Sequence, residues 1–82
     1  MYYVHAVGVE GFCELTLDDG QMVAIIFIDP ARAFRYAQHC ARTRHMDYEV
    51  RTWKKEKLMA IAYRDGSFYK TPKYLRKVNN ES

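Results

Sequence analysis

The chain has 82 residues, 49% of them hydrophobic and 15% aromatic, which allows one domain with a core near the lower limit for independent folding. Its longest apolar run, residues 22–28, is strand-sized and far short of the roughly 20 residues of a helical membrane span, so a spanning helix is not expected. The formal net charge of +3 hides an asymmetry: residues 1–29 hold five acids and no Lys or Arg, a balance of −5, and residues 30–82 hold all thirteen Lys and Arg with five acids, a balance of +8.

Residues 2–9, YYVHAVGV, are β-rich and alternate loosely, placing Tyr3, His5, Val7 and Val9 on one face and Tyr2, Val4 and Ala6 on the other. Glu10-Gly11 reads as a turn. In residues 12–17, FCELTL, alternation predicts Cys13, Leu15 and Leu17 inward with Glu14 and Thr16 outward. Asp18-Asp19-Gly20 supplies the positive backbone angles of a tight hairpin turn. Residues 21–28, QMVAIIFI, are apolar on both faces and are expected to be the most covered strand of the sheet.

The stretch 29–45 carries the one long helix. Asp29 is a good N-cap and Pro30 suits the first helical position, where a missing N–H costs nothing. Pro30, Ala33, Phe34, Ala37, Cys40 and Ala41 recur at helical spacing and are mostly small, so this face can lie close on a sheet with Phe34 as anchor. Arg32, Arg35, His39 and Arg42 mark the opposite face, and Arg44 and His45 end the helix where positive charge suits its dipole.

Residues 47–54 alternate again, with Tyr48, Val50 and Thr52 on one side and Glu49, Arg51 and Trp53 on the other, a set that reads as an exposed or edge face. Such an edge could pair two copies into a homodimer. Lys54 to Lys57 forms a polar turn, and residues 58–64 and 67–71 flank Asp65-Gly66, the strongest hairpin signal in the chain. Thr71-Pro72 can cap and start a short helix before a polar tail at 79–82. The expected fold is therefore α+β, one domain over residues 1–78: a small antiparallel sheet of five to six strands in the order βββ-α-ββ(β), with the helix packed across one face. Phe34 and the small helix residues should meet Ile25, Phe27, Val50 and Ile61 in the core.

Little in the sequence points to catalysis. Adjacent helical residues such as His39 and Cys40 point about 100° apart and cannot form a nucleophile–base pair unaided. His39, Cys40 and His45 lack the spacing and ligand number of a zinc site. Asp18 and Asp19 read as turn residues, and the four scattered glycines form no phosphate-binding loop. No catalytic residue, metal or cofactor is expected. The two cysteines, Cys13 and Cys40, read as reduced thiols, and the beginning of the sequence lacks the pattern of a signal peptide, so a cytoplasmic location is expected.

Charge is more informative. Residues 30–46 contain Arg32, Arg35, Arg42 and Arg44 and no acid, so no pairing within the helix relieves the stripe. Arginine's planar fork suits carboxylate and phosphate. Lys54, Lys55 and Lys57 form a second basic cluster, and Lys70, Lys73, Arg76 and Lys77, interleaved with Tyr69 and Tyr74, form a third. Aromatics among cations suit stacked bases and protein hot spots equally. The predicted partner-binding set is Arg32, Arg35, His39, Arg42, Arg44, Trp53, Lys54, Lys55, Tyr69, Lys70 and Lys73.

The pieces FIDPARAFRYAQHCA and WKKEKLMAIAYRDGSFYK, about half the chain, resemble small phage and mobile-element proteins, among them inhibitors of the anti-CRISPR type, in which a few strands and one helix make a compact domain. The segment DPARAFRYA also looks like the strand-to-helix junction of AP2-type and integrase arm-type DNA-binding domains. Those place a basic three-stranded sheet on DNA, which residues 1–29, free of Lys and Arg, do not match. No functional residue carries over from either group. The first resemblance implies a non-enzymatic inhibitor that occludes a host protein or ribonucleoprotein complex. A small nucleic-acid-binding protein using the same cations is the alternative.

Overall fold

Alternating segments become strands and the Asp29-Pro30 step starts a helix in the computed structural model of the chain, which describes residues 1–11 and 13–81, without the side chains of Leu15, Asn80 and Glu81. In order, the elements are β1 (Tyr2–Ala6), β2 (Glu14–Thr16), β3 (Met22–Ala24), β4 (Ile26–Phe27), α1 (Pro30–Arg44), β5 (Tyr48–Thr52), β6 (Leu58–Ala62), β7 (Phe68–Lys70) and α2 (Pro72–Glu81). Phe12, the expected start of the second strand, the inward side chain of Leu15 and the last tail residue, Ser82, fall outside the described residues.

An antiparallel sheet of order β4-β1-β5-β6-β7 carries α1 across one face, and β2 and β3 form a separate two-stranded hairpin. The expected α+β architecture is therefore observed. Asp29 caps α1 by accepting a 2.9 Å hydrogen bond from the Ala31 backbone N–H, and His45 ends it in the left-handed conformation. The buried residues of α1 are Pro30, Ala33, Phe34, Ala37, Cys40 and Ala41, the stripe read from periodicity. With Ala33, Ala37 and Ala41 wholly covered, the helix backbone can come close to Val4, Tyr48, Val50, Ala60 and Ala62 of the sheet. Replacing Asp29 with alanine should remove the cap and cost about 1 kcal/mol, read as a lower midpoint in urea unfolding with an unchanged slope.

A bulge in β6 sets the position of α2. Val50 pairs with Ala60 but Arg51 with Leu58, leaving Met59 as the extra residue, fully buried. The Met59 carbonyl accepts from both the Thr71 N–H (3.0 Å) and the Thr71 hydroxyl (2.9 Å). The same hydroxyl accepts from the Tyr74 N–H at 3.2 Å, so Thr71 caps α2 as expected. Tyr74 then reaches the core beside Phe34.

Several expectations need correction. Residues 21–28 are not the most covered strand: none is fully buried, and Ile28 is 84% exposed. The run breaks at Ile25, whose N–H bonds to the Cys13 carbonyl, so its first half pairs with β2 away from the main sheet. Its second half makes only a two-residue edge strand before the helix begins. The covered strand is β5, paired with β1 and β6 on both sides, so no free edge at 47–54 is available to join two copies. Ile25 and Ile61 are half-buried, Ile61 lying on the sheet face away from the helix opposite Glu49 and Tyr69, and Leu17 is exposed because its hairpin stands off the core. Strand β1 stops at Ala6, so Val7 and Val9 belong to a loop, and α2 continues through Glu81 where a tail was expected.

Candidate functional site

The helical period that buries one face of α1 exposes the other. Arg32, Arg35, His39 and Arg42 are all exposed there, and no carboxylate pairs with these arginines among the described residues. Arg44, also exposed, donates to the Tyr48 hydroxyl at 3.3 Å, which ties it to the end of the helix.

A second cationic surface forms where the β5–β6 turn meets α2. The Lys73 ammonium is held below its ordinary value by desolvation and then by Lys57, Lys55, Lys77 and Arg76. The second and third basic clusters of the sequence are thus brought together. Arg35 and Asp29 both act electrostatically on the Tyr74 hydroxyl, which burial chiefly pushes up, so the α1 stripe and α2 are neighbours. Lys70 is different. Its Nζ lies 5.0 Å from the ring centre of Phe34, 4.9 Å from Phe68 and 5.6 Å from Tyr74, turned onto the aromatic cluster of the helix side.

The remaining sequence-predicted residues, Trp53, Lys54 and Tyr69, belong to the opposite face of the sheet. Tyr69 is exposed on the edge strand β7, while Trp53 and Lys54 line a concavity of about 670 Å³. Sequence reasoning missed this feature. Its floor is a polar row: Glu49, 8% exposed on the central strand, receives Arg51 Nη2 at 2.8 Å on one oxygen and has His5 Nε2 at 2.9 Å from the other. The histidine approach is at ion-pair distance without the alignment of a hydrogen bond. Arg51 Nη1 also donates to the Glu56 carbonyl at 2.7 Å, and His5 Nδ1 lies 3.3 Å from the Val9 carbonyl. Residues 8–11 thereby form one wall, and Tyr3 and Trp53, their rings 5.8 Å apart and 82° to each other, form a corner. The alternation Glu49, Arg51, Trp53 was the available sequence signal, but the pairing of His5 with Glu49 depends on strand register, which composition does not reveal.

Cys13 and Cys40 are free thiols, and Cys13 and Tyr36 pack against the core cluster that holds Cys40, close enough for the three groups to act on one another electrostatically. Burial pushes the Cys13 thiol up, and burial with the Cys40 contact pushes Tyr36 up to about 12. Cys13 therefore stays in its protonated, weakly nucleophilic form. Among the described residues, no three His, Cys, Asp or Glu side chains converge as a metal site, and no helix is long and apolar enough to cross a membrane. Comparison with protein-family models, curated proteins and solved structures finds no match.

Proposed function

We propose that the protein is a non-enzymatic interaction domain, of the kind phages encode, that binds an acidic surface of a host protein or ribonucleoprotein complex and inhibits it by occlusion. The observation that carries this reading is the α1 stripe: Arg32, Arg35, His39 and Arg42 are exposed in one row, with no carboxylate paired to the arginines among the described residues. Like charges along a helix cost stability when nothing answers them, and a partner carboxylate supplies the bidentate contacts that arginine favours. Occlusion needs only complementary charge and a few anchors.

Nucleic acid is the second reading, favoured by the convergence of Lys55, Lys57, Lys73, Arg76 and Lys77. Two measurements separate them. The Arg35→Glu, Arg42→Glu double variant should remain folded by circular dichroism and lose at least about tenfold in partner capture from host lysate, equivalent to about 1.4 kcal/mol. Undiminished capture would remove the α1 stripe from the interface. Under the second reading, fluorescent single strands or duplexes should bind with an affinity that falls steeply as salt rises, and Lys55→Glu with Lys73→Glu should flatten that slope. Absence of binding at low salt would eliminate it.

A further inference from the structure

The concavity on the open face of the sheet differs in chemistry from the cationic side and calls for another kind of ligand. We propose that it is a binding site for a small organic cation, a quaternary or alkylammonium group carried on an apolar body.

Size and shape come first. About 670 Å³ lies within the roughly 300–1,000 Å³ of small-molecule sites. At the Tyr3–Trp53 corner the two rings stand at nearly a right angle; Tyr3 is only 7% exposed and backs the corner, so the half-buried Trp53 is the ring a cation can approach to within about 6 Å. The apolar body would lie against the aromatic walls beside Val9.

Charge selects the sign. Glu10, Glu49 and Glu56 line the cavity against Arg51 and Lys54, a balance of −1 with His5 neutral, in a chain whose net charge is +3. Arg51 is already engaged by the Glu49 carboxylate and the Glu56 carbonyl. Lys54 is exposed and can turn its ammonium into water while its methylenes remain on the wall. The Tyr3 hydroxyl is pushed above its ordinary value chiefly by burial; among the charges around it, Glu56 acts most strongly to raise it, Arg51 opposes, and Glu49 adds to Glu56. With Glu49 and Arg51 paired to each other, Glu10 and Glu56 outnumber Lys54, so an anion would enter against a net negative wall; a neutral molecule would gain the ring but not the charge.

Trp53 is the only tryptophan, so its fluorescence reports directly on this wall. Titration of the full chain at constant ionic strength with benzyltrimethylammonium and choline should give a saturable change. The uncharged isostere of choline, 3,3-dimethyl-1-butanol, should bind at least about fivefold more weakly, and benzoate more weakly still. Glu56→Gln should weaken the cations by about threefold or more. It should fold, because the residue's structural contacts are made by its backbone. The Arg35→Glu, Arg42→Glu variant should bind them as the parent does. No saturable change up to roughly 10 mM, equal binding of the isostere, or preference for benzoate would each overturn the proposal.

Discussion

Replacing Phe34 with alanine should lower folding stability by about 3–5 kcal/mol, a large share of what a domain of this size possesses. Phe34 is 5% exposed and joins three elements. From α1 its ring meets Phe68 of β7 edge-on at 5.6 Å and Tyr74 of α2 at 5.8 Å, with the Lys70 ammonium 5.0 Å from its centre. The neighbours on the helix are alanines, too small to fill the void left by the ring. At about 4–8 °C per kcal/mol for a small domain, the melting temperature should fall by well over about 10 °C. A loss below about 1 kcal/mol would mean that Tyr74 and Phe68 collapse into the space and that Phe34 is not the anchor. Phe34→Leu keeps much of the volume and removes the ring's quadrupole. Combined with Lys70→Met it isolates the cation–ring coupling, expected at about 0.5–1 kcal/mol.

Those elements whose cause is local were the ones the sequence revealed. The Asp29 cap, Pro30 and the spacing of Ala33, Phe34, Ala37, Cys40 and Ala41 each act within a turn or two of helix, and α1 formed with the expected buried stripe. Asp65-Gly66 is similar: Gly66 takes a φ of 93° and Asp65 accepts from the Ser67 N–H at 2.8 Å, so the β6–β7 turn is made by adjacent residues. Burial of a strand is not local. Residues 22–28 are more apolar than 48–52, yet the latter are central because β1 and β6 pair on both sides of them. Charged Glu49 and Arg51 argue for an exposed face only if each is considered alone; paired with each other, they can occupy the covered strand. The cavity was illegible for the same reason, since it needs His5, Glu49 and residues 8–11 brought together by register. The Lys55–Lys73 surface needed the β6 bulge and Thr71 to place α2 against the β5–β6 turn.

Glu49→Ala should be the most damaging change on the open face, costing about 3 kcal/mol, the lower end of the range for breaking a buried ion pair. The lower end applies because the Arg51 side chain is 29% exposed and water can answer part of its charge, whereas that of Glu49 is only 11% exposed. Without the carboxylate, the Arg51 guanidinium retains its hydrogen bond to the Glu56 carbonyl, and His5 Nε2 loses the acid it faces. The double change Glu49→Leu, Arg51→Leu should behave differently. It removes both charges together and places two apolar side chains beside Leu58 and Ile61, so most of the lost stability should return. Urea unfolding of the parent, the single variant and the double variant measures both steps. A single-variant loss under about 1 kcal/mol would make the trio no stronger than a surface ion pair. Recovery in the double variant would show that the central strand does not need these charges to be stable, leaving the polar floor of the cavity as the reason for their presence.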